Sequence, residues 1–172
     1  ESRRRHFLEK LNGLSPSAKA VGELKTKFEQ YPGVISYQAT VATFAIRDGD
    51  YLYFELPASL ASVLRLRDNT RTQPLYFDDR PPLRRRVEVR LPKGWRPVLT
   101  PAGISAAAPL QGTLALTTET ADGKLEVVYA ADLEPTMLEV ADYSRLLHLQ
   151  KLLRHARTRT VVLKRGAAAT RP

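Results

Sequence analysis

The amino-acid sequence predicts a mainly β domain: an antiparallel β-sandwich-like body with two helices, one near the N-terminus and one near the C-terminus. Three observations point there. Apolar side chains recur with a period of two in several stretches between Val34 and Ala130. Asp48-Gly49 and Asp122-Gly123 stand between such stretches, and both residue types tolerate the positive φ of a tight hairpin. Helical spacing is confined to the two ends of the chain. Strands joined by hairpins, without helical crossovers, favour antiparallel packing over βαβ units.

In chain order, Ser15-Pro16 reads as a helix start, with Ser as cap and Pro at the first helical position. Helical spacing then groups Ala20, Val21, Leu24 and Phe28 on one face, and Pro32-Gly33 ends the segment. From Val34 to Ala45 the alternation is that of a long strand. Asp48-Gly49 turns it, and Tyr51 to Leu56 is the returning strand. Residues 57–70 read as a short helical turn or an irregular crossing, closed by a turn at Asp68-Asn69. Leu75-Tyr76-Phe77 is a short apolar strand, followed by the loop Asp78-Asp79-Arg80-Pro81-Pro82.

Arg84 to Leu91 alternates cleanly. Val87, Val89 and Leu91 point one way, and Arg86, Glu88 and Arg90 point the other, towards water. Pro92-Lys93-Gly94 turns the chain, and the Ala-, Pro- and Gly-rich residues 101–112 read as a loop. Gly112 to Glu119 and Lys124 to Ala130 form a second hairpin. The second helix follows Pro135, with Asp142 as its cap and its end near His155. Val161-Val162-Leu163 is a closing strand. The expected organisation is a connecting segment with a helix over 1–33, a β-sandwich-like accessory domain over 34–165, and a loose tail over 166–172.

The 172 residues fit one domain with a flanking element. No apolar run approaches the roughly 20 residues of a membrane-spanning helix. Beginning at Glu1 with no apolar leader, the chain reads as a fragment or processed form. With no cysteine it has no disulfide, thiolate metal site or Cys nucleophile of its own. The net charge of +9 is concentrated at the ends. Residues 1–33 carry 7 Lys/Arg and 4 Asp/Glu, residues 34–133 carry 12 and 11, and residues 134–172 carry 8 and 3. Such ends attract acidic partners.

Candidate chemistry is sparse. His148 and His155 share a face of the second helix, but seven residues at 1.5 Å each put them about 10 Å apart, too far for one metal ion. Asp142, Ser144 and His148 superficially resemble a hydrolase triad. They fall within one helical segment, and no G-x-S-x-G elbow or oxyanion donor set accompanies them. Asp48-Gly49-Asp50 lacks the further oxygen ligands of a calcium loop. No phosphate-binding Gly-rich signature occurs. The expectation is therefore no catalytic, cofactor-binding or metal-ligating residue, and no cofactor.

The basic residues carry the functional reading. Arg3-Arg4-Arg5 and Arg84-Arg85-Arg86 are triplets. On the second helix Tyr143, Leu146, Leu147, Leu153 and Ala156 form an apolar stripe. Arg145, His148, Lys151 and Arg154 occupy much of the remaining surface, and Arg157 and Arg159 extend the charge beyond it. These six residues are the candidate docking surface. A nucleic-acid or anionic-polymer binder is the alternative, although no helix-turn-helix, zinc-finger or RNA-binding aromatic signature is present.

Four places carry a family resemblance. They are Arg71-Thr72-Gln73-Pro74-Leu75-Tyr76-Phe77; Leu91-Pro92-Lys93-Gly94-Trp95 followed by Pro101; the hairpin around Asp122-Gly123; and the Tyr143 helix leading into a strand that ends Val162-Leu163-Lys164. In this order they resemble the C-terminal domain of unknown function of bacterial transglutaminase-like proteins. The resemblance spans most of the chain. The stretch before Val34 is similar to the segment that connects the family's catalytic core to this domain. It implies a parent protein exported to the periplasm or cell envelope, with an upstream papain-like Cys-His-Asp core. Those catalytic positions do not map onto this chain. The expected role is a non-catalytic accessory or interaction domain, with neighbouring domains of the parent chain or another envelope protein as partners.

Overall fold

The computed structural model describes residues 15, 17–29, 34–67, 69–105 and 108–166. The chain forms two compact units, Glu1–Ile46 and Arg47–Pro172. It is mainly β, with several antiparallel sheets and one α-helix among the described residues.

In the first unit, β1 (Ala18–Lys27) pairs antiparallel with β2 (Val34–Val41). The helix expected here is therefore corrected to a strand. The sequence contains both periods: Ala18, Ala20, Leu24 and Thr26 also alternate with Lys19, Glu23, Lys25 and Lys27. Pairing with β2 decides between them. Gly22 adopts φ +70, and the register shifts between Val21 and Lys25, so the bulge absorbs the residues that made the pattern look helical. The long strand expected from Val34 to Ala45 stops at Val41. The Ala42 carbonyl accepts from Ser17 Oγ at 2.9 Å and from Thr43 Oγ1 at 2.6 Å, and Thr43 turns the chain with φ 55. Pro16, Pro32-Gly33, Asp68, the Arg3-Arg4-Arg5 triplet and the tail beyond Gly166 lie outside the described residues.

The larger unit carries the core. β3 (Ile46–Asp48), β4 (Tyr51–Glu55), β7 (Trp95–Leu99) and β12 (Thr160–Arg165) form one sheet in the order β3-β4-β12-β7. β6 (Leu83–Arg90), β8 (Ile104–Ser105), β9 (Gly112–Ala121) and β10 (Lys124–Leu133) form a second in the order β6-β10-β9-β8. β5 (Leu75–Phe77) and β11 (Thr136–Leu138) make a two-stranded ribbon. Over residues 57–67 the crossing is irregular, yet it buries Leu60, Val63 and Leu64. β8 falls where a loop was expected, and β7 and β11 fall in stretches to which no element was assigned. They are short, and β7 contains Pro97, so their sequences carry little alternation of their own.

β10 is one of the two inner strands of its sheet. Leu125, Val127 and Tyr129 are fully buried on one face, while Glu126, Val128 and Ala130 are half-buried on the other. Burying each such apolar side chain contributes about 1.5–3 kcal/mol. The β9–β10 hairpin turns through Asp122 (φ 50) and Gly123 (φ 70), the two positive angles of a type I′ turn. One helix, α1 (Tyr143–Arg154), enters from a 3-10 turn at Val140–Asp142 and leaves through another at Ala156–Thr158.

Gly112 fixes the far end of the β9–β10 pair. It lies opposite Leu133 with φ +101, and a Cβ there would overlap the Asp132 carbonyl oxygen. Gly112→Ala should therefore destabilise the domain by at least about 2 kcal/mol, because an L side chain is strained at this φ and the obstacle is backbone. Chemical denaturation checks this; an unchanged midpoint would refute the account.

Candidate functional site

Two basic features of the larger unit are candidates for function. The first is α1. Tyr143, Leu146, Leu149 and Leu153 recur at helical spacing and are buried. Leu149 thus replaces Leu147 and Ala156 in the expected stripe; Leu147 is half-buried and Ala156 exposed. Gln150 is buried with them because its Oε1 accepts the Leu66 N–H at 2.5 Å, tying the helix to the irregular crossing. Asp142 stands at the N-cap position but makes no capping hydrogen bond. Its carboxylate instead faces Arg145 at 3.4 Å.

With that stripe turned inward, Arg145, His148, Lys151 and Arg154 are all exposed, and Arg157 is exposed on the following turn. Lys151 and Arg154 occupy the last helical turn, where positive charge complements the helix dipole. His155 ends the helix. Its Nδ1 accepts the Arg157 N–H at 3.1 Å, and its carbonyl accepts from Thr158 Oγ1 at 2.8 Å. Ser144 is exposed, as His148 is. Among the described residues no group of three or more His, Asp or Glu side chains is placed to hold a metal ion.

Arg159 belongs to a different environment from the other five. It is half-buried, and its Nη2 pairs with Glu55 on β4 at 3.1 Å. Its Nε is buried without a hydrogen-bond partner among the described residues. Next to it, the buried Tyr129 hydroxyl donates to the Thr158 carbonyl at 3.2 Å. Burial pushes the Tyr129 phenol from 10.0 up to about 12, partly offset by the Arg159 cation.

The second feature is a groove of about 480 Å³ at the start of β6, which sequence reasoning missed. Val63, Pro81, Pro82, Leu83 and Leu133 supply apolar walls, Arg80 and Arg85 supply charge, and Arg84 borders the groove. Arg80 is fixed: its guanidinium lies 4.7 Å over the Phe77 ring, and Nη1 donates to the Val63 carbonyl at 2.9 Å. Arg84 and Arg85 are exposed and form no ion pair among the described residues. The sequence signal was Arg80-Pro81-Pro82-Leu83-Arg84-Arg85, cations around a stiff Pro pair at a strand start. Only the fold adds Val63 and Leu133 to it.

Next to this groove the wet face of the sheet is charged. Glu88, Glu126 and Glu119 face one another across β6, β10 and β9. Arg86 pairs with Glu126, while Lys124 and Arg90 approach Glu88 at 3.5 and 3.8 Å. These cations offset the repulsion of like charges placed directly opposite.

No family model, no curated protein and no solved structure matches the chain.

The Tyr129 hydroxyl gives a pH signature. Its folded-state value lies above the ordinary 10.0, so its contribution is complete below pH 10 and is lost as pH rises towards 12. Tyr129→Phe should cost about 1 kcal/mol at neutral pH through the lost bond to Thr158. The stability gap between native and variant should then narrow from pH 10 to 12. Urea unfolding across that range tests this, and a gap independent of pH would contradict it.

Proposed function

We propose that this domain is a non-catalytic accessory module of a transglutaminase-like parent protein of the bacterial periplasm or envelope. It docks on an acidic face of a neighbouring enzyme domain through the exposed side of α1 and the turn after it. One observation carries this reading: Lys151, Arg154 and Arg157 are exposed in close succession with no anionic partner among the described residues. Arg145 and His148 extend the same surface. Arg145 also keeps its exposed contact to Asp142, which contributes little at that exposure and leaves the guanidinium open to a partner. Arg159, the sixth residue of this surface, also keeps an ion pair with Glu55.

Electrostatic docking of this kind depends on rim charges that steer association and select the partner. A nucleic-acid or anionic-polymer partner would use the same charges, and its binding would fall steeply with salt.

Combined reversal, Lys151→Glu with Arg154→Glu and Arg157→Glu, should weaken association with the rest of the parent chain by about tenfold or more. This follows from exposed pairs worth up to about 1 kcal/mol each, replaced by repulsion. Co-purification and titration of the separately expressed segments measure it. Unchanged association would remove the proposal. Tight, salt-sensitive binding to DNA, RNA or acidic polysaccharide, with none to the parent chain, would favour the polymer reading instead.

A further inference from the structure

The free edge of β6 offers a second interaction surface, separate from α1. We propose that it accepts an extended segment of a partner protein as an added strand, and that this segment alternates acidic with apolar side chains.

The backbone geometry comes first. β6 is the outermost strand of its sheet and pairs only with β10 among the described residues. A residue's N–H and C=O point to the same side of an antiparallel strand, and the side alternates along it. The Leu91 N–H donates to the Gly123 carbonyl at 2.8 Å, on the β10 side. The register from Leu83 to Arg90 is unbroken. The odd-numbered residues therefore bond to β10. The N–H and C=O groups of Arg84, Arg86, Glu88 and Arg90 are left on the free edge, a row of donors and acceptors that an added strand satisfies.

Charge then selects the strand. The side chains of those four residues lie on the wet face, and three of them are arginines. Arg86 and Arg90 contact Glu126 and Glu88, but their side chains remain 64% and 85% exposed, and Arg84 has no ion-pair partner among the described residues. A second copy of β6 paired antiparallel about Val87 would set Arg84 against Arg90 at both ends, with only Arg86 opposite Glu88 between them. The same row attracts a strand with carboxylates at alternate positions, so one device discourages self-association and admits an acidic partner.

The groove accounts for the other face of that strand. Leu83 and Arg85 point to the core side of β6, and the groove they line continues over Ala131 and Leu133 of β10. Side chains between the carboxylates of an added strand point to this side. An apolar one fits against Leu83 and Leu133, with the Arg85 guanidinium at hand for a further anion.

The test uses the full chain and a short fluorescent peptide alternating glutamate with valine and threonine, beside a counterpart carrying lysine for glutamate. The acidic peptide should bind, and the lysine peptide should not. Amide hydrogen exchange read residue by residue should slow tenfold or more at Arg84, Arg86, Glu88 and Arg90. The Val87 and Val89 amides, already bonded to β10, should not change. Glu88→Pro removes one free-edge N–H that bonds nothing within the sheet, a position where an edge strand tolerates proline. It should lower peptide affinity tenfold or more. Arg84→Glu with Arg86→Glu leaves the backbone intact and should transfer the preference to the lysine peptide. The charge-reversed α1 variant should bind the acidic peptide as the native chain does, which separates this surface from the docking face.

Absence of binding overturns the proposal. So does binding without protection of those four amides, or equal affinity for the two peptides. Single-stranded DNA bound at this edge in preference to the acidic peptide overturns the choice of partner.

Discussion

The Tyr129 side chain joins the two halves of the larger unit. It stands on β10, an inner strand of one four-stranded sheet, and its hydroxyl reaches the Thr158 carbonyl on the turn that leads into β12 of the other. Two backbone bonds reinforce the same region: Ala102 N–H to the Arg157 carbonyl and Leu56 N–H to the Arg159 carbonyl, both at 2.9 Å. The segment Arg157–Arg159, at the end of this turn and just past it, is thereby held by three bonds. The end of α1 is set by that turn, because the carbonyl and Nδ1 of His155 both bond into it. A buried phenol with its hydrogen bond satisfied costs little to keep and constrains geometry strongly. The orientation of the exposed helical face depends on this tie and on the apolar stripe beneath the helix.

The parts of the fold that were legible in the sequence are those whose local pattern and tertiary partner agree. The β9–β10 hairpin combines an Asp-Gly turn with alternation on both arms, and β6 carries clean alternation with one charged face. α1 shows its apolar residues at three- and four-residue steps. The failures have physical causes. At β1 the helical and strand periods coincide over a few residues, and a bulge at Gly22 hides the strand period. At β7, β8 and β11 a few residues become strands only because β12, β9 and β5 lie next to them. No local propensity encodes that.

The same distinction applies to the candidate sites. The exposed face of α1 could be listed from spacing alone, since helix geometry determines which residues share a surface. The diversion of Arg159 to Glu55 could not, because that partner is more than a hundred residues away in sequence. The groove at β6 draws on Val63, on the Arg80–Arg85 run and on Leu133, segments that only the fold brings together. Likewise, the basic triplet at Arg84–Arg86 has no orientation until the register assigns Arg85 to the core side of an edge strand and its two neighbours to the wet side.

Net charge is therefore a poor guide to function here, whereas the distribution of unpaired charge is a better one. The C-terminal excess reads as a single basic patch in sequence. In the fold it divides. Lys164 lies 5.4 Å from the Tyr51 ring centroid, Arg159 bridges to β4, and Arg145 meets Asp142. Lys151, Arg154 and Arg157 remain in solvent without an anion among the described residues. The nearly neutral middle of the chain divides in the opposite sense. Its carboxylates Glu88 and Glu126 are matched on the sheet, which leaves Arg85 as surplus at the groove and Arg84 as surplus on the wet face. A cation already matched by a nearby carboxylate gains less from a new partner than an unmatched one, because the new contact competes with the old. The surfaces with the most to gain from an acidic partner are thus not those with the most basic sequence, but those where folding has left the cations unmatched.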